Sequence, residues 1–146
     1  MRITLEIRRT LDLEVSRSRI HPFLHRVLVR IRFQQPRGWS EPHPAILDTG
    51  APYSLIPSTV WPLLRLRRVC DSSVQGIVPG LDVRLETVFA GVTAQLLDAR
   101  RASPPLKLWA TLADSDRVPL ILGWAGCLDR AKLVVNAPRH SAWLEF

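Results

Sequence analysis

Short runs in which apolar and polar residues alternate, separated by prolines, constrain this sequence most strongly. Apolar side chains occupy every second position of residues 3–7, 27–33 and 106–112. A period of two is typical of strands that bury one face. The chain also has 12 prolines, and proline interrupts helices and central strands alike. The pattern therefore predicts an all-β protein of short strands.

The same alternation places strands and turns along the chain. Residues 3–7 and 11–15 are expected to form half-buried strands, or one strand with a bulge at residues 8–10. Further strands are expected at residues 27–33, 45–48, 54–56, 81–85, 87–97, 106–112, 118–122, 133–135 and 142–146. Short helical turns are expected at residues 59–64 and 126–130, and Gly91 is expected to mark a bulge or turn.

Length and composition limit the class of protein. The 146 residues, 47% of them apolar, favour one globular domain spanning residues 1–146. No apolar run approaches the length of a membrane-spanning helix, and the first residues lack a signal peptide's apolar block, so we expect a cytoplasmic protein. Cys70 and Cys127 are expected to be free, partly buried thiols. We find no internal repeat, which excludes two fused copies of one unit.

The formal net charge of +7 comes almost entirely from arginine. Arginine suits phosphate binding, but it also decorates solvent-facing strands in proteins from GC-rich bacterial genomes. The arginine face of residues 26–32 carries none of the interleaved aromatic side chains that a nucleic-acid footprint requires. We therefore expect no specific nucleic-acid partner, and a nucleic-acid-binding β domain stays an alternative based on charge alone.

One stretch delivers an acid to a tight turn between two apolar runs. Residues 45–51 have the sequence Ala-Ile-Leu-Asp-Thr-Gly-Ala, and a second apolar run follows at residues 54–57. Aspartate is depleted in strands and rarely buried unless paired. Asp48, at the end of a buried strand, therefore needs a partner or a chemical role. Gly50 suits a turn that needs positive φ or close backbone approach, and the Thr49 hydroxyl can bond nearby backbone.

This stretch resembles the active-site loop of the aspartic peptidases, most closely the retropepsin-like branch, whose chains carry one such motif. A second similarity lies about seventy residues on, where Pro-Leu-Ile-Leu-Gly at residues 119–123 resembles that family's hydrophobic-hydrophobic-Gly segment. Cys-Leu-Asp at residues 127–129 resembles the short helix that follows it. In that family this segment packs beside the catalytic loop, so the resemblance implies the same contact here. The resemblance covers residues 46–135. It implies an all-β, retropepsin-like (acid protease) closed barrel with one short helix after the second motif.

The resemblance also implies an activity, an aspartic endopeptidase that hydrolyses peptide bonds without a cofactor or metal. Asp48 matches the catalytic acid, Thr49 and Gly50 match the rest of the catalytic motif, and Gly123 matches a structural glycine. Catalysis in this family uses two carboxylates that share a proton. One motif per chain therefore implies a homodimer with one Asp48 from each subunit, acting on a peptide or protein substrate. The alternative is a catalytically silent peptidase-like binding or dimerisation module.

A hairpin between the two motifs matches the family's flap, which closes over substrate. Residues 72–85 contain the glycines and the turn of this expected hairpin. The resemblance implies substrate contacts from Gly76, Ile77 and Val78 in the flap and from Ala51 beside the catalytic loop. An ordinary hairpin without this role remains the alternative.

Two positions depart from the viral members of the family. There, an acid follows the Asp-Thr-Gly-Ala motif and pairs with an arginine placed after the second motif's glycine. Here those positions hold Pro52 and Trp124. Both charges are absent together, so no unpaired charge is buried. The departure predicts a dimer contact unlike the viral one.

Other candidate sites have less support. His21 and His25 have the four-residue spacing of metal ligands on a helix, but Pro22 and the strand that follows argue against a helix there. Ser54 and Ser58 lack a histidine placed to activate them. The tryptophans are expected to anchor the core or an interface. They are Trp39, Trp61, Trp109, Trp124 and Trp143.

Overall fold

A computed structural model describes residues 1–16, 22–74 and 85–146. These ranges contain strands and very little helix, which confirms the all-β expectation. The strands are β1 (Arg2–Leu11), β2 (Phe23–Gln35), β3 (Gly38–Trp39), β4 (His43–Leu47), β5 (Ser54–Ile56), β6 (Leu66–Val74), β7 (Leu85–Leu97), β8 (Leu106–Ala113), β9 (Ile121–Leu122), β10 (Lys132–Asn136) and β11 (Ser141–Glu145). The α-helix α1 spans Leu13–Ser16, and 3₁₀ turns span Trp61–Leu63, Leu128–Arg130 and Ala137–Arg139.

Six of these strands close into a barrel. The pairing order runs β2, β4, β9, β5, β8, β7 and returns to β2. Alternate residues of these strands point inward, and the largest fully buried side chains include Phe33, Ile31, Leu96, Leu112 and Leu122. Closure removes free strand edges from the barrel itself. The expected closed barrel is confirmed, including a short 3₁₀ turn after residue 123.

The chain ends form a small sheet beside the barrel. Strand β11 lies between β10 and the first half of β1, with both pairings antiparallel. The sequence predicts the terminal strands, residues 3–7 and 142–146, as a dimer interface, because exposed edges pair readily. Since β11 is flanked on both sides, it offers no open edge. Within the described residues the open edge of this sheet is β10, where Val135 is 46% exposed.

Strands β1 and β2 continue beyond the barrel as a two-stranded arm, which we define as residues 8–16 and 22–26. Its register runs unbroken from Glu6 opposite Leu28 to Leu11 opposite Phe23, so the bulge expected at residues 8–10 is absent. The strand expected at residues 11–15 is also wrong beyond Leu11, because α1 follows. The Asp12 carboxylate accepts a hydrogen bond from the Val15 backbone N–H at 3.2 Å, which caps this short turn.

Further expectations differ from the structure in detail. Strand β6 was not anticipated, since its described side chains are nearly all exposed and show no alternation. The bulge expected at Gly91 lies instead on β6, between Arg68 and Cys70. The strand expected at residues 118–122 is reduced to β9. Residues 75–84 lie outside the described residues, so the strand expected at residues 81–85 is described only at Leu85, where β7 begins.

Two findings concern the thiols and the membrane. Both cysteines are free, as expected, but the expected partial burial is wrong, because Cys70 is exposed and Cys127 is fully buried. Burial, with a smaller contribution from the charge of Asp129, raises the pKa of Cys127 to about 12. No helix in residues 1–16, 22–74 or 85–146 has the length and apolar character needed to cross a membrane.

Candidate active site

Asp48 follows directly after Leu47, the last residue of the barrel strand β4. Strand β4 runs parallel to β9, with Ile46 opposite Ile121 and Leu47 opposite Leu122. The pairing continues one step further, because the Asp48 N–H donates to the Leu122 carbonyl at 3.0 Å. The end of the first motif is therefore fixed beside the second motif, as the sequence resemblance implied.

The turn after Asp48 presents its carboxylate at the surface. The Gly50 N–H donates to Asp48 Oδ1 at 2.8 Å, and the Ala51 N–H donates to the Asp48 carbonyl at 3.2 Å. Asp48 is half-buried, whereas Thr49 and Gly50 are exposed. A Cβ at residue 50 would stand 3.2 Å from Asp48 Oδ1, so glycine allows this close approach. One carboxylate oxygen is thus held by backbone.

Gly123 lies directly against the loop that carries Asp48. A Cβ at this position would stand 2.5 Å from the carbonyl oxygens of both Ala51 and Tyr53. The Gly123 N–H donates to the Oγ of the buried Ser54 at 3.3 Å. Only glycine permits this packing, which agrees with a structural role for Gly123. Ser54 holds the second motif rather than acting as a nucleophile.

Trp124, the residue after Gly123, is hydrogen-bonded to the loop that carries Asp48. Its indole N–H donates to the Thr49 carbonyl at 2.6 Å. Its backbone N–H donates to the Ala51 carbonyl at 3.0 Å, and the Ala125 N–H donates to the Pro52 carbonyl at 3.0 Å. Residues 124–125 therefore brace residues 49–52 without a charge pair. Trp124 is 46% exposed, so its ring also offers an apolar surface beside the Thr49 carbonyl.

The substrate-binding residues expected from the sequence are described only in part. Ala51 is half-buried in the turn beside Asp48. Gly76, Ile77 and Val78 lie outside the described residues. Strands β6 and β7 form an antiparallel pair up to Val74 opposite Leu85, so they are the two stems of the hairpin whose connection is residues 75–84.

The described residues hold no group of three His, Cys, Asp or Glu side chains that could bind a metal ion. His25 lies in β2, a strand, so the helical spacing considered for His21 and His25 does not apply to it. His21 lies outside the described residues.

A comparison with solved structures identifies the fold. The structure is similar to that of the EIAV protease complexed with the inhibitor HBY-793, with a TM-score of 0.50 and 24% sequence identity. The match covers 75% of this chain and 93% of that chain, and it is one of 56 matching chains of solved structures. No family model and no curated protein match the sequence. The chain therefore has the retropepsin-like fold.

Two features of the site were not anticipated from the sequence. The indole bond from Trp124 to the loop joins residues 75 positions apart, and a lone tryptophan gives no signal for it. The arm was missed because residues 11–15 alternate like an ordinary strand. The structure shows that the apolar side chains on both strands of the arm are exposed, which alternation in the sequence does not reveal.

Proposed function

We propose that the chain is an aspartic endopeptidase whose catalytic pair is Asp48 together with the Asp48 of a second copy. The observation that carries this proposal is the intact loop, in which a half-exposed carboxylate is fixed by the Gly50 N–H at 2.8 Å. A domain without turnover has no physical need to hold an acid in this way. The retropepsin-like fold adds support at the level of architecture.

The chemistry follows from two carboxylates placed close together. Like charges at short range do not both ionise easily, so such a pair holds one proton between them. One carboxylate then takes a proton from an attacking water, and the other donates a proton to the carbonyl oxygen of the peptide. Asp48 performs one of these roles in each subunit. Thr49 and Gly50 fix its position, and Ala51 with Gly76, Ile77 and Val78 contacts the substrate.

The arm is the proposed contact with the second copy. In the register between β2 and β4, Leu28 stands opposite Ile46, so continuing it by two residues brings Arg26 level with Asp48. The three remaining arm pairs lie beyond that level, about 10 Å further out. The arm therefore projects from the barrel end that carries Asp48, where a partner must approach.

The surface of the arm suits such a contact. Five of its apolar side chains are more than a third exposed, namely Leu11, Leu13, Val15, Phe23 and Leu24. Contiguous exposed apolar side chains mark interaction sites in soluble proteins. The arm thus replaces the charge pair that Pro52 and Trp124 do not form.

The test is hydrolysis of a peptide library from pH 3 to pH 7 by the wild type and by Asp48→Asn. Asparagine is nearly isosteric but cannot act as a base, so the rate should fall by about 10²–10⁴, with kcat affected more than KM. Asp116→Asn is the matched control, because Asp116 is an exposed loop acid, and it should cleave like the wild type. If a dimeric wild type cleaves nothing over this range, the silent binding or dimerisation module becomes the better account.

A further inference from the structure

A second candidate site lies on the outer face of β6, β7 and β8. One row of this face consists of Arg67, Gly91 and Trp109, which pair across the three strands. Lys107 lies on the same face two residues before Trp109, and Arg65 precedes β6. These five residues are among those that line a cleft of about 390 Å³, which we call the outer cleft. It is formed by strand faces and not by the loop that carries Asp48.

The aromatic side chain of this cleft is fixed but open to solvent. The Trp109 ring packs over Gly91, where a Cβ would stand 3.4 Å from the nearest ring carbon. The rings of Phe89 and Trp109 lie within 9° of parallel at 5.8 Å, and Tyr53 packs edge-on against Phe89 at 4.8 Å. Trp109 remains 38% exposed. The ring is therefore an oriented surface for stacking.

The charged residues that line the outer cleft are all positive. Arg65, Arg67 and Lys107 are exposed, and none of them forms an ion pair or a side-chain hydrogen bond within the described ranges. No acid lines the outer cleft. Asp129 stands in the neighbouring cleft on the other side of Trp109, where its carboxylate accepts the Gly126 N–H. Since the chain carries a net charge of +7, an anionic ligand would be attracted here.

We propose that the outer cleft binds a nucleotide, with the base stacked on Trp109 and the phosphate bound by Arg65, Arg67 and Lys107. A planar ring beside unpaired cations is the combination that proteins use to bind single-stranded nucleic acid without sequence preference. The volume suits one nucleotide, since ligand pockets range upward from about 300 Å³. An acidic peptide would use the cations and leave the ring unused. The source of the nucleotide is a free nucleoside phosphate or a single strand.

The binding test uses a fluorescein-labelled oligothymidylate and adenosine monophosphate at low salt. Trp109→Leu should weaken binding by about tenfold or more, because stacking on an aromatic ring is lost, and Trp109→Phe should retain most of it. Arg67→Ala should weaken binding and reduce the salt dependence by about one phosphate contact. Arg139→Ala makes the same charge change at an exposed position outside the cleft, so it should bind like the wild type. Circular dichroism and unfolding curves confirm that each variant is folded.

The possible outcomes separate the ligand sources and test the proposal. Binding of both probes identifies the free nucleotide as sufficient, and binding of the oligonucleotide alone identifies a single strand as the source. If neither probe binds at low salt, the proposal is overturned. So does equal binding of polyglutamate, which would show that charge alone is recognised. Loss of binding in Arg139→Ala equal to that in Arg67→Ala, or unchanged binding by folded Trp109→Leu, would also overturn it.

Discussion

Replacing Gly123 by alanine should damage both the fold and the activity. The added Cβ would stand 2.5 Å from the carbonyl oxygens of Ala51 and Tyr53 and 2.7 Å from the Tyr53 carbonyl carbon. All three are backbone atoms, so no side-chain rotation relieves the contact. Moving the Ala51 carbonyl weakens its hydrogen bond from the Trp124 N–H. Overpacking typically costs about 1–3 kcal/mol and a lost hydrogen bond about 1 kcal/mol, which gives about 2–4 kcal/mol of unfolding free energy.

Urea unfolding of the wild type and Gly123→Ala measures this cost directly, with peptide hydrolysis as the second readout. Gly91→Ala is the matched control, because its Cβ would meet the Trp109 ring at 3.4 Å, an ordinary contact distance. A strand glycine costs about 0.5–1 kcal/mol relative to alanine, so the control should be neutral or slightly stabilising. An unfolding free energy of Gly123→Ala within about 0.5 kcal/mol of wild type would refute the packing argument.

Two further predictions concern single hydrogen-bonding groups. Trp124→Phe removes the indole donor to the Thr49 carbonyl, so kcat for peptides should fall several-fold with little change in KM. Trp109→Phe is the control and should not change hydrolysis. A kcat of Trp124→Phe equal to that of the wild type in steady-state kinetics would contradict this prediction. Backbone hydrogen bonds from Thr4, then from residues 100 and 101, lower the pKa of Asp98. Its stabilising effect should therefore be complete above the ordinary carboxyl pKa of about 4 and be lost as pH falls through the lower folded-state pKa. The difference in unfolding free energy between wild type and Asp98→Asn should shrink below about pH 4, and a difference that grows on acidification would contradict the assignment.

The barrel and the loop that carries Asp48 were predictable because their signals are local. Alternation along 27–33 and 106–112 gave strands close to β2 and β8, and Asp48 at the end of an apolar run marked the loop. The pairing of β4 with β9 followed only from the family resemblance, since parallel pairing between strands over seventy residues apart leaves no local pattern.

The arm and β6 were not predictable from periodicity. The side chains of β6 are exposed on both faces of the strand, so its sequence does not alternate. Its hydrogen bonds to β7 hold it in the extended conformation. At residues 11–15 the alternation was genuine, but the side chain of Asp12 accepts the Val15 N–H and closes a helical turn. Local capping of the backbone thus outweighed a strand-like pattern.

The central claim is that each active site takes one Asp48 from each of two chains, and co-refolding of two variants tests it most directly. Wild type and Asp48→Asn are mixed in denaturant and refolded together, so that subunits pair at random. With three variant chains for each wild-type chain, about a quarter of wild-type chains find a wild-type partner, and peptide hydrolysis per wild-type chain should fall to about a quarter. In the same mixture made with Asp116→Asn all chains should be active, so hydrolysis per total chain should equal that of the wild type. Hydrolysis per wild-type chain that is unchanged by excess Asp48→Asn would contradict the claim.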